Sequence, residues 1–335
     1  MPPEAAALNG GPMPGTRLPA AWKAPLGALA LAAAALLAIT APAWGAMWHQ
    51  WWNIDTYSHL LLVPFIIAWL VALKEEELAA MVPQPFWPGL GLVAAGLALW
   101  TAGTRLGINL VAEAGAVAAL QAAVVALLGV RVSVLLALPL ACMASLVPFG
   151  DEIIPPLQMI TADIAIALTH ASGVAARIDG IYIHTPAGLF IVAEACSGVK
   201  FLIAMVTLGV LVAFTRFQHR RARIAFLAAC VIVPILANGV RAWATIYVAQ
   251  FVGAERASGF DHIVYGWIFF AIVVMAMLGA AWRFFDRQPD DYGWPPETIA
   301  RWNWLTRTEA LTTAPSRAVI AIVTMAAIAA VATLL

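Results

Sequence analysis

Residues 224–251 read IAFLAACVIVPILANGVRAWATIYVAQF, a run in which Arg241 is the only charged side chain. About 20 apolar residues are enough for a helix to cross the ~30 Å hydrocarbon core of a bilayer. This run therefore reads as a transmembrane helix with length to spare. Arg241 lies 17 residues past Ile224, about 26 Å along the axis at 1.5 Å per residue. That places it close to the far membrane face. An ionisable group within such a run is costly and usually functional.

Working outward from this run, the rest of the chain has the same character. Of its 335 residues, 63% are hydrophobic and 11% charged, against about 25% charged in a soluble domain. The mean hydropathy of +0.89 excludes both a water-soluble globule and a disordered chain. The fourteen tryptophans suit a protein anchored at two membrane interfaces. Further apolar runs occur at 25–44, 57–73, 88–103, 108–129, 132–149, 197–214, 263–285 and 318–335. The expected fold class is thus an all-α polytopic membrane protein of about nine transmembrane helices. The first apolar run could be mistaken for a signal peptide, but Trp44 and the later runs favour a retained helix. Residues 1–22, rich in Pro, Gly and Ala, read as a disordered cytoplasmic tail. Residues 23–285 form the transmembrane core, 286–317 a cytoplasmic linker and 318–335 an additional transmembrane helix.

Lys and Arg placement orients the chain. Arg216, Arg220, Arg221 and Arg223 crowd one loop, and Arg283, Arg287, Arg301, Arg307 and Arg317 crowd another. With both placed in the cytoplasm, Arg17, Lys23, Lys74 and Arg131 fall inside as well. Only Arg105, Arg177 and Arg256 are left in outside loops, with Lys200 and Arg241 inside spans. The N-terminus is then inside and the C-terminus outside. The zero formal net charge suggests no nucleic-acid partner. Three scattered cysteines support neither a disulfide framework nor a zinc site, and no metal or cofactor is expected.

The longest outside segment, 150–195, opens with Asp151-Glu152 and Pro155-Pro156. It continues as a short amphipathic helix over about 157–172 and a β-hairpin over 177–193, and leads directly into Cys196. Cys196, Arg241 and His262 come from three helices and reach the same depth on the same side. Cys196 stands at a helix N-terminus, where the dipole and free N–H groups favour a thiolate. His262 could exchange a proton with that thiol, and Arg241 could hold an oxyanion. Asn238, three residues before Arg241 and so on the same helical face, could orient His262 or Arg241. Cys142 and Cys230, inside apolar runs, read as packing residues.

Local sequence adds a resemblance. Glu194-Ala195-Cys196-Ser197-Gly198-Val199-Lys200 resembles the cysteine motif of the exosortase/archaeosortase family, and Ala237-Asn238-Gly239-Val240-Arg241 resembles its arginine motif. Asp261-His262-Ile263-Val264-Tyr265-Gly266-Trp267 resembles its histidine motif, in the same order and spacing. The stretch from Pro148 to Pro156, with the hairpin after it, looks closest to the exosortase A subgroup. Two features depart from the pattern. Tyr57-Ser58-His59-Leu60 stands where many relatives have His-Gly, and the tail holds only a linker and a ninth span.

The resemblance implies a multi-pass cysteine peptidase of the bacterial inner membrane, with its active site on the periplasmic side. The implied substrates are membrane-tethered exported proteins carrying a C-terminal sorting signal: a Pro-Glu-Pro-like motif, a transmembrane helix and a basic tail. Processing is linked to exopolysaccharide production. Carried over, Cys196 is the nucleophile, Arg241 the stabiliser and His262 the acid/base. The rival expectation is a transporter or polysaccharide-export component with Arg241 and His262 along a substrate path. Such a protein would be expected to carry paired repeats or several midplane charges. No repeat is visible in the sequence, and Glu113 is one of few midplane candidates.

Overall fold

Uninterrupted runs of Ala, Leu and Val in a membrane must satisfy their backbone hydrogen bonds within the segment, which selects the helix. The computed structural model describes residues 18–254, 257 and 266–334. The first half comprises α1 (Lys23–Ile39), α2 (Ala41–Asn53), α3 (Val63–Ala72), α4 (Gly89–Leu106) and α5 (Asn109–Leu128), followed by the short α6 (Val130–Leu135) and α7 (Ala137–Ala144). Then come α8 (Ile154–Ala171), strands β1 (Arg177–Asp179), β2 (Tyr182–Thr185) and β3 (Gly188–Ile191), α9 (Val199–Arg216), α10 (Arg220–Val252), α11 (Gly266–Trp282) and α12 (Pro315–Leu334).

Among the described residues, seven helices are long and apolar enough to cross a membrane. The pair formed by α2 and residues 58–72, bent by 112°, makes an eighth if it crosses as one unit, and α11 is a shorter apolar helix. The protein is therefore an all-α polytopic membrane protein. The run 132–149 is not one helix: it breaks at Leu136, between α6 and α7. Pro139, three residues on, has no N–H for the Leu135 carbonyl, and its ring crowds the preceding turn. The run 25–44 also divides, at Thr40, whose hydroxyl turns back to the Leu36 carbonyl at 2.7 Å. Residues 1–17 of the expected tail lie outside the described residues. Trp22, expected in that tail, is instead buried, and its indole N–H donates to the Met81 carbonyl at 2.9 Å.

The tightest packing is between α4 and α5. A Cβ on Gly103 would fall 2.3 Å from the Ala112 nitrogen, and one on Gly115 would fall 2.2 Å from the Trp100 nitrogen. The two backbones touch, as small residues allow where lipid gives helices no hydrophobic reason to associate. Around this pair α1 and α12 bury Ala32, Leu36, Ile322 and Ala326. The segment after α11 is not loose. Tyr292 is buried and donates to the Leu70 carbonyl at 2.7 Å, and the Lys74 ammonium lies 4.8 Å from its ring centre.

The second half positions the site. With 33 residues, α10 is about 50 Å long, well beyond a hydrocarbon core. Pro234 lies inside it and removes the donor that would bond the Cys230 carbonyl. The far half of α10 packs against α8 and the sheet. Gly239 abuts Ile164, the Trp243 indole donates to Ser172 Oγ at 2.8 Å, and Gln250 Nε2 donates to Thr185 Oγ1 at 3.2 Å. The expected short amphipathic helix is thus the full α8, which with the turn before it is itself long and apolar enough to span. Its Gln158, Thr161 and Thr169 face the protein, while Met159 and Ile160 face outward. The expected hairpin is β2–β3, paired from Tyr182–Ile191 to Thr185–Gly188, and β1 adds a third antiparallel strand.

Candidate functional site

The chain leaves β3, passes Val192 and Ala193, and closes one 3-10 turn over Glu194–Cys196 before α9 begins. Gly198 is the N-cap of α9 with φ +84°, a left-handed conformation that favours glycine. Ser197 Oγ accepts from the Val199 N–H at 3.3 Å, satisfying one of the free donors of that helix start. Cys196, the last residue of the turn, is half-buried and packs beside a cluster of Ala162, Ile166, Ile183, Val192 and Ile246.

Asn238 on α10 is 2% exposed and lies directly on this turn. Its amide nitrogen donates to the Cys196 carbonyl at 2.8 Å and to Thr161 Oγ1 at 3.0 Å. A backbone carbonyl can only accept, so the amide nitrogen must be the atom that faces it. A Cβ on Gly198 would sit 2.7 Å from the Asn238 side-chain carbon. Gly198 therefore serves twice, through its φ and through the space it leaves. The expectation that Asn238 orients His262 or Arg241 takes a different form: among the described residues its bonds go to the cysteine turn and to Thr161.

Arg241, one turn further along α10, is 7% exposed. Its guanidinium lies 5.8 Å from the centre of the Phe201 ring, which stacks on Phe270 of α11 at 4.6 Å. A Cβ on Gly266, the first residue of α11, would meet Arg241 Nη1 at 3.1 Å. No carboxylate among the described residues pairs with Arg241, and its Nε is buried without a hydrogen-bond partner. Lys200 lies 5.1 Å from the Phe201 ring centre and 5.8 Å from that of Trp267. Two cations from two helices thus flank the aromatic wall that starts beside the cysteine turn. His262 lies outside the described residues, and so does its expected proton exchange with Cys196.

The family model for transmembrane exosortases matches residues 51–279. The chain belongs to this family. The match extends from α2 to α11 and takes in the cysteine turn, Asn238 and Arg241. Family membership makes the chain a membrane enzyme of sorting-signal processing, in a family of cysteine peptidases and transpeptidases. No curated protein and no solved structure matches it.

Other candidate residues are placed apart from the turn. Cys142 and Cys230 are buried, and the Cys230 sulfur fills the space over Gly209. His170 bonds the Ala176 carbonyl at 2.8 Å, and His219 pairs with Asp286 at 2.6 Å. Glu113 is buried and accepts from Gln50 Nε2 at 2.8 Å, beside a polar cavity of about 380 Å³ that also meets Tyr57 and Asp151. No group of three His, Cys, Asp or Glu among the described residues is placed to hold a metal.

Sequence reasoning missed Thr161 and Gln158. Gln158 Nε2 donates to the Val192 carbonyl at 2.7 Å, and both side chains are buried against the segment that carries Cys196. The available signal was their i, i+3 spacing on an otherwise apolar helix face.

Proposed function

We propose that the chain is a transmembrane cysteine endopeptidase or transpeptidase acting on exported proteins tethered by a C-terminal sorting signal of the Pro-Glu-Pro type. Cys196 is the nucleophile. Its thiolate attacks the scissile carbonyl carbon, and the negative charge that develops on the oxygen is held by Arg241. His262 passes the thiol proton to the departing amine as the C–N bond breaks. The thioester left on Cys196 is then resolved by water or by an acceptor amine, and Cys196 regains its thiol. The proposed setting is the bacterial inner membrane with the site on the periplasmic side, in a pathway tied to exopolysaccharide assembly. The stretch from Pro148 to Pro156 supports assignment to the exosortase A subgroup.

One observation carries this reading. A guanidinium buried without a counter-ion is costly, and among the described residues Arg241 is such a group, one turn from an asparagine bonded to the Cys196 carbonyl. An oxyanion formed at that turn would supply the missing charge, which is how preorganised donors accelerate acyl transfer. The test is cleavage of a reporter carrying a sorting signal, in membranes with matched levels of each variant. Cys196→Ala should abolish cleavage, while Cys142→Ala and Cys230→Ala cut nearly normally. Persistent cleavage by Cys196→Ala, or equal loss with Cys230→Ala, removes Cys196 as the nucleophile.

A further inference from the structure

Resting on that reading of Cys196 as nucleophile, we infer that Thr161 of α8 is a positioning residue of the reaction, acting through Asn238 and the Cys196–Ser197 backbone. Thr161 is 1% exposed, Ser197 2% and Asn238 2%. The three form a directional network. One Asn238 N–H goes to the Cys196 carbonyl at 2.8 Å and the other to Thr161 Oγ1 at 3.0 Å. The Thr161 hydroxyl in turn donates to the Ser197 carbonyl at 3.4 Å. Two consecutive carbonyls, one belonging to the nucleophile and one following it, are thus fixed by one asparagine and one threonine.

The same face of α8 holds the other side of the cysteine. Gln158, three residues before Thr161, donates to the Val192 carbonyl at 2.7 Å. The segment 192–197 is therefore gripped from α8 at both ends, with Cys196 between the grips. Among the described residues the Asn238 amide has no other hydrogen bond to hold it, because its Oδ1 is buried without a partner there. Without the Thr161 hydroxyl the amide keeps a single bond and can rotate about it. The Ser197 carbonyl then also loses its donor.

Such a displacement acts on chemistry more than on substrate affinity. Misplacing a reacting group by about 1 Å costs on the order of 10²-fold in rate, whereas Thr161 lies behind the turn and touches α10. Thr161→Val removes the hydroxyl at constant shape, and Thr161→Ser keeps it. In proteoliposomes with the sorting-signal reporter, T161V should lower kcat by about 10²-fold with KM nearly unchanged, and T161S should restore kcat. The second readout needs no turnover: the pH dependence of Cys196 alkylation by an impermeant iodoacetamide, with Cys142 and Cys230 replaced by alanine. Its midpoint should move in T161V and return in T161S.

An unchanged kcat and an unchanged alkylation midpoint in T161V overturn the inference. A raised KM with an unchanged midpoint also overturns it, because Thr161 would then be contacting substrate. Should T161V fail to accumulate, Thr161→Ala removes the same hydroxyl without added bulk and is scored by the same readings. If Cys196→Ala still cuts the reporter, the proposed function fails and the catalytic role of Thr161 with it, whereas cleavage lost in Cys196→Ala with T161V unaltered in both readings overturns the inference about Thr161 alone.

Discussion

Replacing Gly198 by alanine puts two separable strains on the cysteine turn. The residue has φ +84°, and an L side chain in the left-handed region costs roughly 1–2 kcal/mol. The new methyl would lie 2.7 Å from the Asn238 Cγ and 2.9 Å from its Nδ2, so the amide must move. Its bonds to the Cys196 carbonyl and to Thr161 are then lost, at about 1 kcal/mol each. Gly198→Ala should therefore destabilise the protein by about 3–4 kcal/mol. In an Asn238→Ala background the two closest contacts and those bonds are already gone and only the Cβ at 3.0 Å remains, so the same change should cost only about 1–2 kcal/mol. The assay is a double-mutant cycle by chemical unfolding in mixed micelles, with reporter cleavage measured alongside. A coupling of about 2 kcal/mol between the two positions is expected. Additive losses would refute the claim that Asn238 occupies the space Gly198 leaves, and with it the tie from α10 to the cysteine turn.

Arg241→Lys keeps the charge but not the planar fork. If Arg241 holds the oxyanion, the variant should lose about 10²–10³ in kcat, and near-normal reporter cleavage would remove Arg241 from that role. On the opposite end of α10, the Gln218 N–H and the His219 ring hold the Asp286 carboxyl below its ordinary value. A lowered folded-state pKa gives a stabilisation that is complete above the ordinary carboxylate value and lost as pH falls through the folded one. Limited proteolysis of the 216–223 loop should therefore stay constant at neutral pH and rise only below about pH 4. Asp286→Asn should show the raised susceptibility at every pH, and a transition near neutral pH would point to a different group.

The fold class was legible because apolar runs without charges admit few structures in lipid. The runs at 88–103 and 108–129 became α4 and α5 with small shifts of their ends. What misled was reading length without punctuation. Pro139 divides one expected span and Thr40 another, and neither changes mean hydropathy. The role of α8 was hidden for a related reason. Gln158, Thr161 and Thr169 made it look half-solvated, yet these side chains point inward to backbone carbonyls. At the candidate site, the closeness of the Cys196 turn to the stretch of α10 that carries Asn238 and Arg241 was legible from motif and depth. The partner of the Asn238 amide was not, since a bond to a backbone carbonyl 42 residues away leaves no mark on sequence spacing.

The length of α10 has a consequence for what can be cut. From Arg220 at its start to Asn238 at the cysteine turn is 18 residues, about 27 Å of helix, close to the thickness of a bilayer's hydrocarbon core. The rod acts as a ruler, with the basic loop as its zero mark and the proposed nucleophile as its graduation. On the proposed function, a tethered substrate built on the same plan, a helix ending in basic residues, would lie beside it in the same units. Its scissile bond would then be selected by distance from its own basic end as well as by the residues around it. Removing one turn from the substrate's helix would slide that bond by about 5.4 Å, well past the reach of one thiol.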